Sequence, residues 1–433
     1  MNAGGAASRR AGTPPAAVGG PAAGGSATPD RPAERSTDAR GGAPRGFALR
    51  LKRTVEVLEA EDGDVYLLRD GADDDLVLDR PDHAQRALLA ALERGAPSLA
   101  ALRRELASAA SAVDAATLAE AVDALARLGL LEDDPGEAER LLGAEARVRY
   151  DRQLAYLSDL VPGRAAELQA RLGGAAVTVV GVGGIGTWTA AALAAAGIGR
   201  LTLVDDDRID LPNLNRQVLY RRSDVGRLKV EVAADTLAAF NPALEIVPVA
   251  RRVDGPQAAA DVVAGADVVV ESADWPPYEL SRWLDAACRA AGAARIAAGQ
   301  IPPRVRIGPT YLPDGRTGCV ECQERAARRE HPLFDEVVAL RRKRQTVAAI
   351  LGPASAIVGG AVAMETLHLL TGAAEPATLG AAVILDLRDF SVTRQAFARD
   401  PGCPRCGAGA RRLDPAASRG RAGGPRAGAG APR

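Results

Sequence analysis

The chain has 433 residues, of which 55 are acidic and 54 are basic. This balance leaves no global charge that would attract a polyanion, and the length predicts two or three domains. Residues 1–46 and 407–433 are rich in Gly, Ala, Pro and Arg and contain almost no large apolar side chains. Since such segments bury too little surface to offset chain entropy, we expect both tails to be disordered. The first tail also lacks the apolar stretch of a signal peptide.

Residues 48–135 are predicted to form a small α+β domain. Strand-like segments run from Leu51 to Val57, over residues 64–68 and over residues 76–78. Three helical leucine patterns follow, and Ser98 is placed to cap the second helix. Short strands followed by three helices indicate a winged-helix-like fold.

Many winged helices bind DNA, and this requires a basic recognition helix. The second predicted helix has only Arg103 and Arg104, and acids at 70 and 73–75 surround it. We therefore do not expect nucleic acid as a partner.

The most specific pattern of the chain begins at Val177, where a predicted strand enters a glycine-rich turn. Glycines at 181, 183 and 186 fit G-x-G-x-x-G, which lets a backbone approach phosphates at a helix N-terminus. Asp205 ends the next apolar strand, 19 residues after Gly186, where a carboxylate can accept hydrogen bonds from ribose hydroxyls. An NAD-dependent oxidoreductase could carry the same features.

The residues that follow favour a different reaction. Arg216, Gln217 and Lys229 place cations near the nucleotide phosphates, which a nicotinamide does not need. A reaction that breaks a triphosphate does need them, together with Mg²⁺. A third strand at 267–271 leads to Asp274, where a doubly wound sheet places a metal or nucleotide ligand.

Together these segments resemble the ThiF/MoeB/HesA family, the bacterial relatives of ubiquitin-activating enzymes. The segment RYDRQ at 149–153 matches the family's opening R-Y-x-R-Q, and Asn-Pro at 241–242 matches its N-P. The resemblance covers residues 147–406. It implies a Rossmann-like, doubly wound α/β sheet that binds ATP·Mg²⁺ and adenylates the C-terminal carboxylate of a peptide or small carrier protein.

The resemblance also implies a role for each matching residue. The nucleotide would be bound by Gly181, Gly183, Gly184, Gly186, Asp205, Asp207, Asn213 and Gln217. The catalytic residues would be Arg152, Arg216, Lys229 and Asp274. Among these, Asp274 would coordinate Mg²⁺ and Arg152 would reach across the interface of a homodimer.

Some of these residues have ordinary alternatives. Arg152 could be a solvated surface charge, and Asp207, like Asp206, could simply belong to a turn. The family usually has Asp-Asn where this chain has Asp274 and Trp275, a difference that bears on substrate contacts more than on the metal.

Thr346 to Met364 is a run of 19 uncharged residues. Glycines, a proline and hydroxyl side chains interrupt it, and Glu365 follows at once. We interpret it as a buried core helix starting near Pro353, and we expect a cytoplasmic protein without a membrane partner.

Four of the five cysteines form two C-x-x-C pairs. These are Cys319 with Cys322 and Cys403 with Cys406. Two distant pairs suit a tetrahedral Zn²⁺ bound by four thiolates, whereas disulfides are disfavoured in a cytosolic chain. The resembling family commonly has such a structural zinc site.

The fifth cysteine, Cys288, is predicted to be a small buried core residue. Many family members carry a further cysteine after the first zinc pair, for covalent transfer. Here residues 323–344 contain none and instead carry several basic residues. We therefore expect an acyl-adenylate without an enzyme thioester. The basic segment is either a solvated helix face or a contact surface for an acidic peptide.

The N-terminal pattern, placed ahead of a ThiF-like region, resembles the PqqD-like domains that bind leader peptides of ribosomal peptides by adding a strand to their sheet. An idle stabilising domain or a dimerisation unit is the alternative. The leading hypothesis is an adenylyltransferase of ribosomal-peptide or sulfur-carrier metabolism, with a modifying enzyme as a further partner. The alternative is a non-catalytic ThiF-like scaffold that docks a leader peptide for a cyclodehydratase, since residues 308–319 look similar to such scaffolds.

Overall fold

A computed structural model describes residues 46–69, 76–109, 113–343 and 349–407. The two tails predicted to be disordered fall outside these residues, except for Gly46 and Gly407 at their borders. Within the described part, helices and strands alternate from residue 176 onwards, after a smaller mixed unit.

The N-terminal unit contains five strands and three helices. They are β1 Phe47–Leu51, β2 Val55–Glu59, β3 Val65–Arg69, β4 Leu76–Leu78, α1 His83–Arg94, α2 Leu99–Ser108, α3 Ala115–Arg127 and β5 Leu131–Asp133. Strands β2, β3 and β4 form an antiparallel sheet, and β1 pairs separately with β5. Its own apolar core includes Leu92, Leu102 and Val122, all fully buried.

The continuous strand predicted from Leu51 to Val57 is wrong. A turn closes at this point, where the amide of Val55 donates to the carbonyl of Lys52 over 3.0 Å. The first strand therefore ends at Leu51 and pairs with β5, which lies about 80 residues later in the chain. The predicted cap is confirmed, since Ser98 Oγ accepts a hydrogen bond from the amide of Ala101 at 3.1 Å.

Four short helices connect this unit to the large sheet. They are α4 Pro135–Leu142, α5 Ala144–Arg149, α6 Asp151–Leu160 and α7 Ala165–Gly173. The N-terminal unit is bonded directly to them: Lys52 Nζ donates to the Ser158 carbonyl at 3.0 Å and to Asp159 at 2.8 Å. Asp133 accepts from the amide of Ala165 at 2.8 Å and so caps α7.

The large sheet has eight strands in the order β13-β12-β11-β10-β9-β6-β7-β8. The strands are β6 Ala176–Val180, β7 Arg200–Val204, β8 Glu245–Val249, β9 Val268–Glu271, β10 Ala294–Ile301, β11 Arg304–Tyr311, β12 Ala381–Asp386 and β13 Val392–Ala396. The strands from β10 to β8 run parallel, and β11 to β13 extend the sheet in antiparallel fashion.

Helices cover both faces of this sheet. They are α8 Gly184–Ala196, α9 Lys229–Phe240, α10 Pro256–Val263, α11 Glu279–Ala291, α12 Val320–Glu330, α13 Phe334–Lys343 and α14 Gly352–Thr371. Successive strand residues point to opposite faces, so Val179 packs into the core under α8 and α14, while Val180 packs into the core under α10 and α11. This is the predicted Rossmann-like, doubly wound α/β fold.

Residues 352–364 of the uncharged run form the first part of helix α14, with Pro353 in its first turn as predicted, whereas residues 346–348 lie outside the described part of the chain. By length and composition it is the one helix in the described chain that could cross a bilayer, yet half of its most apolar window is buried inside the protein. A Cβ added to Gly359 would lie 2.5 Å from Trp188 Cβ, so α14 and α8 are in backbone-close contact. The helix therefore packs as part of the core.

Candidate functional site

A cleft of about 300 Å³ lies at the carboxyl ends of β6, β7 and β9. Parallel sheets of this kind bind ligands at that edge. The sequence-predicted residues that line it are Gly181, Gly183, Gly184, Asp205, Asp207, Arg216, Gln217, Lys229 and Asp274. Three predicted residues, Gly186, Asn213 and Arg152, do not line it.

The glycines of the turn have different physical roles. Gly181 has φ +91°, and a Cβ there would lie 2.6 Å from the amide nitrogen of Ala273. A Cβ on Gly186 would lie 1.9 Å from the Gly181 carbonyl oxygen. These two positions therefore require glycine for the chain's own packing. Gly186 shapes the turn without reaching the cleft.

Gly183, in contrast, leaves space for a ligand. The nearest atom to a Cβ at this position would be Gln217 Nε2, at 3.7 Å. Gly183 is also the N-cap of α8 and has no side chain to occupy the free amides of the first turn. The helix start therefore presents N–H groups to the cleft, where an anionic phosphate would accept their hydrogen bonds.

Asp205 is held at the end of β7 by two backbone amides. Its Oδ2 accepts from Val182 at 2.7 Å and its Oδ1 from Asp207 at 2.9 Å. Burial raises the pKa of Asp205, and the nearby Lys229 opposes that rise. The carboxylate thus lies beside the glycine turn with lone pairs left to accept from ribose hydroxyls.

Lys229 begins α9 with its side chain only 7% exposed, and its Nζ lies 2.6 Å from Asp207 Oδ2. The backbone amide of Lys229 also donates to the Asp207 carbonyl, at 3.0 Å. Asp207 therefore does more than end a turn, because it orients the buried ammonium. The nearby Asp206 instead pairs at the surface with Arg252, at 3.0 Å.

Arg216 and Gln217 bring unpaired polar atoms to the cleft. Arg216 Nη1 donates to the Pro212 carbonyl at 2.8 Å, but its Nε is buried without a hydrogen-bond partner among the described residues. Gln217 is 3% exposed, and its Oε1 likewise has no partner there. Burying a polar atom without a hydrogen bond costs free energy, and a bound ligand could supply the missing hydrogen bonds.

Asn213 has a structural position instead. It ends the short 3-10 helix Leu211–Asn213, and its Oδ1 accepts from the amide of Asp210 at 3.1 Å. This bond shapes the loop that carries Arg216. Asn213 itself therefore does not line the cleft, although Arg216 and Gln217 of the same loop do. The structure does not support the predicted direct contact of Asn213 with a triphosphate.

Asp274 is exposed and follows β9, so the glycine turn after β6 lies between Asp274 and Asp205. The amides of Ser272 and Ala273 both donate to the Val180 carbonyl at 2.9 Å, so the wall that carries Asp274 is bonded to β6. Trp275 follows in the lining, 37% exposed. A carboxylate oxygen is a ligand that Mg²⁺ prefers, so Asp274 could hold this ion.

Sequence reasoning missed Arg251 and Arg252, which line the cleft after β8. Two consecutive arginines shortly after the apolar residues 246–249 were the available signal. Their approach to the site depends on β8 lying next to β7, which only the sheet order reveals.

Most residues of the segment at 149–153 hold that segment against the rest of the chain. Arg149 donates to the Phe240 carbonyl at 2.9 Å, and Gln153 donates to the Ala196 carbonyl at 2.9 Å. Tyr150 is buried, and its hydroxyl lies 2.5 Å from where a Cβ on Gly197 would be. Arg152 is the exception: its side chain is 93% exposed, with one loose contact of 3.9 Å to Asp151. Arg152 does not line the cleft of its own chain.

The two C-x-x-C pairs meet as predicted. Cys319 Sγ lies 3.8 Å from Cys322 Sγ and 3.6 Å from Cys403 Sγ, and Cys322 Sγ lies 3.3 Å from Cys406 Sγ. Four thiolates at about 2.3 Å around a tetrahedral zinc would be about 3.8 Å apart, so the arrangement fits this metal. All five cysteines are free thiols, without a disulfide.

Burial raises the pKa of Cys319 and Cys322, in the latter to about 11. Without a cation these thiols stay protonated at neutral pH, and a divalent metal would displace their protons. Four sulfurs leave no open coordination position, so the group could hold a metal but not a substrate.

Cys288 is buried on α11, as predicted, and burial raises its pKa to about 12. Such a thiol is a poor nucleophile at neutral pH. The basic segment forms α12 and α13, where Arg328 pairs with Asp335 at 3.0 Å and Arg341 donates to the Tyr278 hydroxyl at 3.2 Å. Arg344 lies outside the described residues. These contacts favour an ion-paired helix face.

Comparisons with known proteins agree with this geometry. The sequence model of the ThiF family matches residues 150–405. A sulfur carrier protein ThiS adenylyltransferase of Escherichia coli is 32% identical over 260 residues, 60% of this chain and 95% of the relative. A molybdopterin-synthase adenylyltransferase of the same species is 32% identical over 266 residues, 61% of this chain and 98% of the relative.

Two solved structures extend the likeness beyond this region. Escherichia coli MccB with ATP is 25% identical and has a TM-score of 0.64, with 83% of this chain and 99% of that chain covered. PaaA is 27% identical with a TM-score of 0.63, covering 80% and 99%. Both matches take in more of the chain than residues 150–405 and so include part of the N-terminal unit.

Proposed function

Because this chain belongs to the ThiF family and is an adenylyltransferase, we propose that it uses ATP to activate the C-terminal carboxylate of a peptide or small carrier protein. The observation that carries this proposal is the cleft itself. A helix start with free amides, a buried lysine and an arginine with an unpaired buried nitrogen all meet there. These groups are of the kind that bind the phosphates of ATP.

The reaction would be an in-line displacement. A carboxylate oxygen of the substrate attacks the α-phosphorus of ATP, the bond from that phosphorus to the bridging oxygen of the β-phosphate breaks, and pyrophosphate leaves. Arg216 and Lys229 neutralise the charge that builds on the phosphate oxygens, and Asp207 keeps Lys229 in place. Magnesium bound at Asp274 would screen the phosphate charge during this step.

The nucleotide would lie with its phosphates at the α8 start and its ribose at Asp205. The acyl-adenylate would remain non-covalently bound, because Cys288 is buried and the segment after Cys322 supplies no other thiol. The described cysteines outside the four-sulfur group therefore offer no acceptor. An external nucleophile or a modifying-enzyme partner would take the activated acyl group.

We propose a homodimer in which Arg152 of one chain completes the other chain's cleft. The support is its position: Arg152 is the exposed member of an otherwise anchored segment and does not line its own cleft. We also propose a structural Zn²⁺ at the four cysteines. Reduced thiols and a supply of ATP are features of the cytoplasm, where we place the protein.

For the N-terminal unit we propose a PqqD-like role in peptide capture. Among the described residues β2 and β4 are the edge strands of its three-stranded sheet, to which an extended peptide could add a strand. The MccB structures support this idea, since one of them holds the peptide MccA and their likeness includes part of this unit. Direct bonding of the unit to α6 and α7 would keep a captured peptide at a set distance from the cleft.

The test is calorimetric titration of the full chain with ATP and Mg²⁺. We expect saturable binding in wild type and weaker binding in Lys229→Met, because the buried ammonium faces the phosphates. Arg222→Ala, an exposed arginine outside the cleft lining, is the matched control and should bind as wild type does. A folded wild-type protein that binds no nucleotide would contradict adenylation and favour the leader-peptide scaffold.

A further inference from the structure

A group of buried charges lies directly beneath the cleft wall, and the proposed reaction does not use it. Arg295 on β10 is 1% exposed, Glu271 at the end of β9 is 6% exposed and Asp285 on α11 is 1% exposed. Arg295 Nη1 forms a close ion pair with Glu271, and its Nη2 lies 3.6 Å from Asp285 Oδ1. The other Glu271 oxygen accepts a hydrogen bond from Ser281.

Stability does not explain these charges. Arg295 Nε and Nη2 have no hydrogen-bond partner among the described residues. Replacing a buried ion pair with apolar side chains of similar volume is often neutral or stabilising, since the ions are no longer desolvated. Neutral side chains at all three positions would therefore fill this space at no greater cost, whereas removing Arg295 alone would leave two buried carboxylates unpaired. The charges instead fix the position of Glu271 relative to Arg295.

That contact acts on the last residue of a strand. Glu271 ends β9, and the next three residues form the cleft wall that carries Asp274. The amides of Ser272 and Ala273 both bond to the Val180 carbonyl, and Ala273 lies against Gly181. A shift of Glu271 would consequently move both the wall and its seat on the glycine turn.

The guanidinium is itself fixed from the other side. It lies 4.1 Å from the centroid of the Tyr311 ring, and the Tyr311 hydroxyl donates to Gln323, the residue after Cys322. Tyr311 also packs on Phe397, which contacts the four-cysteine group. Arg295 is thus held between the cysteine group and the end of β9.

We propose that Arg295 is a positioning residue of the nucleotide site: through Glu271 it holds the segment Ser272–Asp274 against the glycine-rich turn. Its effect on ATP binding rests on the proposed function. The positioning is a property of the chain without ligand and can be measured separately.

Two variants isolate the Glu271–Arg295 pair. The triple variant Glu271→Gln, Asp285→Asn, Arg295→Met removes all three charges at similar volumes and leaves no buried ion unpaired. The control Asp285→Asn removes one charge but keeps the pair. A third variant, Glu271→Asp, keeps the charges balanced and withdraws the carboxylate by one methylene, so it provides a milder test if the triple variant does not fold.

Hydrogen exchange of the Ser272 and Ala273 amides is the first measurement. We expect exchange about 10-fold faster or more in the triple variant, a smaller acceleration in Glu271→Asp and none in Asp285→Asn. The amide of Asp267, which directly precedes the same strand and bonds to the Ala176 carbonyl at 2.8 Å, should be unaffected in all three. Unchanged exchange in Glu271→Asp and in a folded triple variant, or equal acceleration in Asp285→Asn, would overturn the proposal.

Calorimetry with ATP and Mg²⁺ is the second measurement. The Kd should rise about 10-fold in the triple variant, as for other residues that orient metal ligands, and stay unchanged in Asp285→Asn. If wild type itself binds no ATP, the proposed function fails, while the exchange rates still decide whether Arg295 positions the wall. If wild type binds and the triple variant binds equally well, Arg295 has no positioning role in nucleotide binding.

Discussion

At the scale of single residues, the cleft combines groups that are available to a ligand with groups that hold them in position. Lys229 and Arg216 present positive charge, whereas Asp207 and Asn213 shape the positions from which they do so. All of these except Asn213 line the cleft, but Asp207 Oδ2 bonds to Lys229 and Asn213 Oδ1 bonds to the amide of Asp210.

Arg216→Ala should lower ATP–pyrophosphate exchange by about 10²-fold or more, following the scale for losing a preorganised transition-state contact. The reason is the loss of a cation at the phosphates without a change in the fold, because Arg216 bonds only within its own loop. Exchange would be measured with ATP, Mg²⁺ and the cognate peptide. Arg222→Ala is the control, and an equal loss in both variants would argue against a specific contact.

Asp207→Asn should act through Lys229. We expect Asp207→Asn and Lys229→Met each to weaken ATP binding, and the double variant to be little weaker than Lys229→Met alone, since the ion pair is the shared contact. The readout is a double-mutant cycle of Kd values. Additive effects would show that Asp207 meets the nucleotide independently.

At the scale of elements, the four-cysteine group joins segments that lie far apart in the chain. Cys319 and Cys322 flank the start of α12, and Cys403 and Cys406 follow the edge strand β13. The group packs with Phe397, just after β13. A metal there would therefore fasten the antiparallel edge of the sheet to α12.

Cys403→Ser should remove the metal and lower the melting temperature, because structural zinc contributes folding energy. The purified wild type is expected to contain one zinc per chain by elemental analysis. Cys288→Ala is the matched control: Cys288 is also buried but lies outside the group, so this variant should keep its zinc. Wild-type protein without zinc would refute the metal site.

At the scale of the whole molecule, the N-terminal unit is bonded to the helices that begin the nucleotide-binding region. Lys52 and Asp133 make these bonds, and Arg53 pairs with Asp151, next to Arg152. Deleting residues 1–135 would therefore also uncap α7, which makes it a poor test of peptide binding. Measurements on the intact chain are better suited to the question.

Peptide binding should protect a free edge of the three-stranded sheet. Hydrogen exchange in β2 or β4 should slow when the cognate peptide is added, because a peptide strand would bond to the edge amides. Strand β13, which is also an exposed edge, is the internal control and should not respond. Peptide binding without protection in either edge strand would rule out strand addition.

The homodimer proposal makes a complementation prediction. Arg152→Ala and Asp274→Ala chains should each be inactive alone and regain part of the exchange activity when mixed, since one of the two sites in the heterodimer would hold both native residues. Activity is measured after subunit exchange has been verified by mass spectrometry. A mixture that exchanges subunits but stays inactive would place Arg152 outside the partner's site.

Features that depend on local chemistry could be predicted from the amino-acid sequence. Gly181, Asp205, Lys229 and the two C-x-x-C pairs were identifiable because a glycine turn, a strand-end acid and a thiol pair need particular residues at short spacings. The Rossmann-like fold followed from the same motifs. The apolar helix α14 was predicted from its interrupted, uncharged run.

Features that depend on distant segments became visible only in the folded chain. The strand predicted from Leu51 to Val57 ends at Leu51 because β1 pairs with β5. Arg251 and Arg252 line the cleft because β8 lies beside β7. Asn213 does not line the cleft, because its side chain bonds to its own loop. The buried pair of Arg295 and Glu271 arises because β9 and β10 are neighbours in the sheet, a relation that no spacing along the chain encodes.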